Sequence, residues 1–417
     1  MAAEPQATVT ATLDRLAGGL PSLGIAVSGG SDSMALLHLA AGWAGHAGLR
    51  IEAATVDHGL RAEAAEEAAT VAQVCVTLGV PHQILRWDGR GAEGNLMAAA
   101  RAARLDLLAA WALSRGLPAV ALGHTMDDQA ETLLMRLARG AGVDGLSGMA
   151  DARDHGGVLW LRPLLGIRRE SLRGWLTGRV IGWADDPTND DPAYDRVRAR
   201  QTIAALDLPV EALARSAAHL AEARAALADA ALAAAAGFQA DHGMLRLPGT
   251  VLAASPEIRR RLVAAALRWV TGADYPPRGE DVARLIAALT AGGQGTLDGV
   301  IARTRDGWAE FLREPAAAAR SVVPCRAGIP AQPTETLWDR RWLVTGLPEG
   351  ARITAAGEAA LAGRDWRASG LPRVALASSP AVRWGDRVVL PLLDTACGIG
   401  ARPLRGSAEF TAILRAH

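Results

Sequence analysis

The sequence predicts a doubly wound α/β fold with a mostly parallel sheet, followed by a helical second domain and a small β-rich tail. Three observations carry this. Strand-like and helix-like segments alternate through residues 1–205. The polar, glycine-containing segments SGGSDS, DHGLR and GHTMDDQAET fall at the ends of apolar runs. The pattern then changes near Leu206 and again near Ser321. A chain of 417 residues is too long for one ordinary core, so several domains are expected: 1–205, 206–320 and 321–417.

The first strand is the apolar run Leu23 to Val27, which stops at a glycine-rich turn. Met34 to Ala41 follows at helical spacing, with Leu36, Leu37, Leu39 and Ala40 available for burial. Ile51 to Val56 forms a second strand ending at Asp57-His58-Gly59, and Glu63 to Leu78 a second helix. Further cycles start at Pro81–Trp87 and Ala119–Gly123. Repeated strand–helix units imply parallel strands with helices on both faces, and ligands bind beyond the carboxyl ends of such strands. Beyond Leu206, the runs Val210–Phe238, Pro256–Val270 and Gly279–Leu289 read as helices, and Gly295–Phe311 as a hairpin. Prolines and short β-like runs, such as Trp342–Val344 and Arg387–Leu390, fill the tail.

Composition excludes several classes. Formal net charge is zero, so any RNA contact must come from local arginine clusters. The chain contains no lysine, consistent with a GC-rich coding bias, and this rules out a Walker lysine or a Schiff-base lysine. Cys75, Cys325 and Cys397 form no CxxC pair, which argues against zinc sites, iron–sulfur clusters and disulfides and fits a reducing cytoplasm. Cys75 lies in an apolar helical pattern and is expected in the core. The first residues lack a basic start and a sustained apolar run, so no secretory signal is read there. Ala225 to Phe238 is an alanine-rich soluble helix, not a membrane span.

Ser28-Gly29-Gly30-Ser31-Asp32-Ser33 lies between a strand and a helix. Adjacent glycines permit a tight turn, and the helix N-terminus offers unpaired N–H groups to an anion. Ser28, Ser31 and Ser33 add hydroxyls; Asp32 can hold a magnesium ion or order the loop. Around Thr125, a helix start brings His124, Asp128 and Glu131 onto one face, with Met126, Ala130, Leu133, Leu134 and Leu137 mostly opposite, toward the core. A histidine with two carboxylates can bind a cationic amine, accept its proton or hold a metal. The alternative is a solvated helix start whose acids are favoured by the dipole.

SGGSDS resembles the SGGxDS loop of the N-type ATP pyrophosphatases, the PP-loop superfamily, whose members cleave ATP to AMP and pyrophosphate while adenylating a substrate. That resemblance implies an adenine nucleotide alpha hydrolase-like fold. Four further segments narrow it. They are Val56 to Arg61; Asn95 with Arg101 and Arg104; Gly123 to Thr132 with Arg136, Arg139, Gly140, Gly145 and Leu146; and Arg162 to Leu165 leading to Asp185–Asn189 and the alternating Arg196, Arg198 and Arg200. In this order, over about the first half of the chain, they resemble the tRNA(Ile)-lysidine synthetase family. Two departures are visible: Leu105 stands where the family usually carries an aromatic, and Val197 separates Arg196 from Arg198.

The resemblance implies a cytoplasmic ligase that uses ATP and Mg2+ on an isoleucine tRNA with a CAU anticodon, with free L-lysine as second substrate. A homodimer is a compatible assembly. The wobble cytidine is adenylated at its C2 oxygen, and lysine then displaces AMP. Ser28, Gly29, Gly30, Ser31, Asp32, Ser33, Asp57 and His58 are then the nucleotide-binding residues, with Asp32 also the metal ligand. His124, Asp128 and Glu131 hold lysine and receive its proton. Arg101 and Arg104 neutralise phosphate or fix the cytidine, surface solubility being the alternative. Arg196, Arg198 and Arg200 read as tRNA phosphate contacts, or as the arginines of a solvated extended segment, and Arg259 to Arg261 carry a weaker signal of the same kind. The middle helices resemble the family's substrate-binding domain, whereas the tail carries no motif and either grips tRNA or completes the fold. The rivals are a tRNA thiolase, which usually needs the paired cysteines lacking here, and a catalytically dead RNA-binding protein, which would not need these acids.

Overall fold

The computed structural model describes residues 5–59, 63–87, 89, 96–185, 193–324 and 335–415. They form two compact units that divide between Arg224 and Ala225. Leu60 and Arg61, Asn95, Asp186 to Asn189 and Cys325 lie outside the described residues, as does the side chain of Arg101.

The first unit runs α1 (Pro5–Ala17), β1 (Ser22–Ala26), α2 (Ser31–Ala47), β2 (Arg50–Asp57), α3 (Glu63–Leu78), β3 (His82–Arg86), α4 (Leu96–Arg115), β4 (Ala119–Ala121) and α5 (Met126–Leu137). It continues with α6 (Val143–Leu146), β5 (Ala152–His155), β6 (Val158–Leu161), α7 (Arg169–Thr177) and α8 (Asp195–Ala205). One sheet has the order β3-β2-β1-β4-β6-β5. All neighbours are parallel except the β5–β6 hairpin at the edge. This is the expected doubly wound fold. Chain order reverses between β1 and β4, and the crevice beyond their carboxyl ends is where such sheets bind ligands.

Side-chain alternation along β1 explains the two-sided core. Leu23, Ile25 and Val27 face α2, where Leu36, Leu37, Ala40 and Trp43 cover them. Ala26 faces the other way, with Leu108 and Trp111 of α4, Val120 and Trp160. Cys75 is fully buried in the first of these layers, and burial pushes its thiol up to about 11, so it is a core residue as expected.

In the second unit, the helices Pro256–Thr271 and Gly279–Thr290 match the predicted ones. Trp308–Arg313 completes the expected hairpin with Val300–Arg305. That hairpin belongs to a larger five-stranded antiparallel sheet that the sequence reading did not contain. Its remaining strands are only three to five residues long, and runs that short carry little periodicity. Leu245, Leu247, Leu262, Trp269, Ala302 and Phe311 form the shared core of sheet and helices. The tail carries a four-stranded and a three-stranded antiparallel sheet around Trp338, Trp342, Val344, Ile353 and Val382. No helix among the described residues is long and apolar enough to cross a membrane.

Candidate active site

The loop after β1 is braced from inside. Gly29 takes φ +89°, a left-handed conformation that favours glycine. The Ser28 amide donates to Ser33 Oγ at 3.0 Å, and Ser33 Oγ donates to the Gly30 carbonyl at 3.0 Å. Ser33 is therefore spent on loop shape. Gly30 caps α2 without a side-chain acceptor, which leaves the first-turn amides for an external anion. From the other side of the chain reversal, Gly123 presses on the loop: a Cβ there would lie 3.1 Å from the Ser33 backbone.

His124 precedes α5 rather than sharing its helical face. Thr125 is the N-cap, and its amide and hydroxyl both donate to Asp128 Oδ2, at 2.8 and 3.0 Å. The reciprocal bond from the Asp128 amide closes a capping box. Asp128 and Glu131 are buried, at 5% and 2% exposure, while Leu137 on the supposed core face is 57% exposed. The solvated-helix reading of these acids is thereby overturned. Glu131 Oε2 and His124 Nδ1 are buried without a hydrogen-bond partner among the described residues.

One side chain joins the loop to the acids. Arg169, the first residue of α7, points Nε at Asp32 Oδ2 (2.8 Å), Nη2 at Asp128 Oδ1 (3.2 Å) and Nη1 at Glu131 Oε1 (3.4 Å). One turn later, Arg173 donates to Ser31 Oγ at 3.2 Å and to Asp185 at 2.8 Å. Sequence reasoning missed both arginines. The signal available was their i, i+4 spacing shortly after Arg162-Pro163, which by itself looks like any exposed helical face.

Arg196 and Arg200 add charge to the same acids. They lie on α8, not on an extended segment, and helical spacing explains the outcome. Arg196 stands 3.9 Å from Asp128 and Arg200 3.0 Å from Glu131, whereas Arg198 turns away to pair with Asp195. Val197 is buried on α8. In the second unit, Arg260 and Arg261 pair with Glu257, and Arg259 donates to the Leu252 carbonyl.

Asp57 ends β2 and accepts the Gly59 amide at 2.9 Å. His58 meets the Trp87 ring edge-on at 6.1 Å. Burial, with Arg104 adding to it, pushes the His58 pKa down. Burial does the same to His124, down to about 3, aided by Arg162, Arg196 and Arg104 against the pull of Asp128. Both rings are thus neutral at physiological pH, and the Arg104 charge reaches both. Burial opposes the Asp128 anion, yet Arg169, Arg196 and the Thr125 amide hold its pKa below the ordinary value. Burial raises Asp32 despite Arg169. Burial also works against the Arg169 charge, but Asp128, Asp32 and Glu131 together keep it firmly protonated.

The constellation is an uncapped helix N-terminus for phosphates, a buried acid pair with an open acceptor, and a guanidinium between them. A family description of the PP-loop domain matches residues 5–206. Among curated proteins, the chain is 43% identical over 403 residues to the tRNA(Ile)-lysidine synthase of Ruegeria pomeroyi, covering 95% of this chain and 94% of that one. It is 40% identical over 303 residues to that of Zymomonas mobilis, covering 70% and 88%. With that of Bradyrhizobium diazoefficiens it shares 50% identity over 212 residues, covering 50% and 59%.

Proposed function

This chain belongs to the tRNA(Ile)-lysidine synthase family, enzymes that bind ATP and modify tRNA, and on that premise we propose that it ligates free lysine to C2 of the wobble cytidine in a CAU-anticodon isoleucine tRNA. The reaction runs through an adenylated cytidine and releases pyrophosphate, then AMP. The observation that carries this reading is the contact of Arg169 with both the phosphate loop and the acid pair, because it joins an ATP-cleaving site to an amine-binding one.

The α2 amides and Ser31 hold the phosphates, with the Arg173 guanidinium alongside. Asp57 and His58, at the end of the neighbouring strand β2, border the nucleotide. Arg101, on α4, neutralises phosphate or fixes the cytidine. Asp32 suits a magnesium ion that arrives with the triphosphate, since magnesium is typically held by one or two carboxylates plus substrate phosphates. Bound there, the ion would neutralise charge building on the leaving pyrophosphate.

Lysine's side-chain amine has a pKa of about 10.4, so it arrives as an ammonium and must lose a proton before attack. Asp128, held anionic, supplies charge to receive it, and Glu131 Oε2 is an acceptor with no partner in the described structure. His124 is neutral and can take a proton, but burial first, and the surrounding guanidinium groups after it, make it a weak sink. The freed amine attacks C2, the C2–N bond forms, and the C2–O bond breaks with oxygen leaving on AMP.

We infer a cytoplasmic enzyme whose residues 206–320 serve tRNA binding, while residues 321–417 either add to that grip or complete the fold, with a homodimer as the assembly to be tested. The deciding assay measures pyrophosphate release and tRNA product from ATP and purified tRNA, with and without free lysine. If lysine leaves product formation unchanged, while another amine or a sulfur donor drives it, the assignment fails.

A further inference from the structure

Arg169 contacts three different carboxylates through its three nitrogens, without pairing bidentately with any one of them. Its backbone is fixed: the Arg169 amide donates to Asp127 Oδ2 at 2.7 Å, and neighbouring Arg168 bridges Asp127 and Glu211. The side chain is thus anchored at its base and shared at its tip. Its shortest contact is with Asp32 in the phosphate loop, and its longer ones are with the acid pair.

The local charge is balanced as it stands. Asp32, Asp128 and Glu131 face Arg169, Arg196 and Arg200, while Arg162 and Arg104 already act on neighbouring His124. An ammonium entering this site first would meet acids already paired with guanidinium groups, Glu131 Oε2 apart, and surplus positive charge from Arg162 and Arg104. A polyphosphate at the loop reverses that, bringing several negative charges within reach of a guanidinium that already touches the loop.

We propose that Arg169 is a positioning residue that makes amine binding conditional on nucleotide binding. Polyphosphate draws its guanidinium off Asp128 and Glu131, and the substrate ammonium takes over those acceptors. Nucleotide and amine therefore bind with positive coupling, and each tightens the other by the same factor. This inference rests on the proposed assignment of Asp128 and Glu131 to the amine.

The test is calorimetric titration of L-lysine into the full chain, with and without magnesium and a non-hydrolysable ATP analogue. The wild type is expected to bind lysine about tenfold or more tighter with the analogue. Arg169→Gln should bind lysine with nearly equal affinity in both conditions, and without nucleotide no more weakly than the wild type. Arg50→Gln, whose arginine pairs with Glu52 at the start of β2, the end of the strand away from the site, should keep the wild-type coupling. If Arg169→Gln does not fold, Arg169→Lys decides: it retains the charge but not the three-way contact, and its coupling should shrink. Undiminished coupling in the Arg169 variant overturns the inference, as does a wild type that binds lysine equally well in both conditions. If the wild type binds lysine in neither condition, the amine assignment fails and takes the inference with it.

Discussion

Two arginine–carboxylate clusters, one in each unit, show how a closed charge network differs from an open one in the same chain. In the second unit, Asp339 accepts from Arg313 and Ser321 on Oδ1 and from Arg313 and Arg341 on Oδ2. Arg341 also donates to the Ser378 carbonyl. One carboxylate thus meets several donors, and both of its oxygens are satisfied. In the first unit the Arg169 guanidinium spans three acids by single contacts, Arg196 and Arg200 add one contact each to Asp128 and Glu131, and Glu131 Oε2 still has no partner among the described residues. A closed network leaves no position for a ligand, whereas one with an unfilled acceptor keeps the position that the proposed amine would take.

The comparison breaks most visibly at Glu131. Glu131→Gln keeps the shape but removes the charge and replaces one acceptor oxygen with an amide donor. Lysidine formation is expected to fall about 100- to 1000-fold, while tRNA-dependent adenylation, read as pyrophosphate release, changes far less. Equal losses in both steps would place Glu131 outside the amine site.

Arg341→Met is the counterpart in the second unit. Arg313 still compensates Asp339, but Asp339 loses one of its two guanidinium partners and the Ser378 carbonyl loses its donor, at a cost of about 1–3 kcal/mol. The urea midpoint of that unit should drop, while kcat/KM per folded molecule stays at the wild-type value. Burial presses Arg341 down to about 10 even with Asp339 beside it, so it remains charged at pH 7 and the prediction concerns an ion pair. A loss of activity without a loss of stability would contradict the division drawn between the clusters.

His124 sharpens the contrast through pH. Its folded pKa is about 3 against an ordinary 6.5, so between those values the unfolded chain binds the extra proton. Stability should therefore fall with acidification below pH 6.5, by about 1.4 kcal/mol per pH unit, until the folded pKa is reached. Asp128, whose folded pKa is lowered from 3.8, adds a further loss once the pH falls below that unfolded value. His124→Asn should flatten the acid limb of the unfolding profile between pH 6 and 4. An unchanged limb would mean that the ring is not held neutral by its surroundings.

These contrasts also explain what was legible in the sequence. The strand–loop–helix unit at Ser28 was readable because an apolar run, paired glycines and helical spacing are all local signals. His124, Asp128 and Glu131 were readable as a group, but their burial was not, because α8 and α7 supply the arginines that make it tolerable. Arg169 lies 137 residues from Asp32, and no periodicity links them. The Arg196–Arg198–Arg200 alternation misled because i, i+2, i+4 fits a strand face, while its outer pair also fits one side of a helix. Only packing against α5 distinguishes the two. The five-stranded sheet of the second unit was missed for a related reason: its pairings are long-range and its strands are short.

The smallest expected effect concerns a residue whose contribution is the space it leaves open. A Cβ on Gly123 would stand 3.1 Å from the Ser33 Cα and amide nitrogen and 3.2 Å from the Asp32 carbonyl carbon. Those are backbone atoms of the first turn of α2, so relief requires the loop itself to shift by a few tenths of an ångström. Gly123→Ala should raise the KM for ATP about five- to tenfold, because the displaced amides are those proposed to hold phosphate. The KM for lysine should move less. Gly45→Ala provides the comparison within the same helix: nothing lies within 4 Å of its added Cβ, and replacing a helical glycine stabilises by about 0.5–1 kcal/mol. If both substitutions left the ATP KM unchanged, close packing between the β4 end and the phosphate loop would have no part in nucleotide binding. A selective effect of Gly123→Ala on lysine would instead tie that contact to the acid pair.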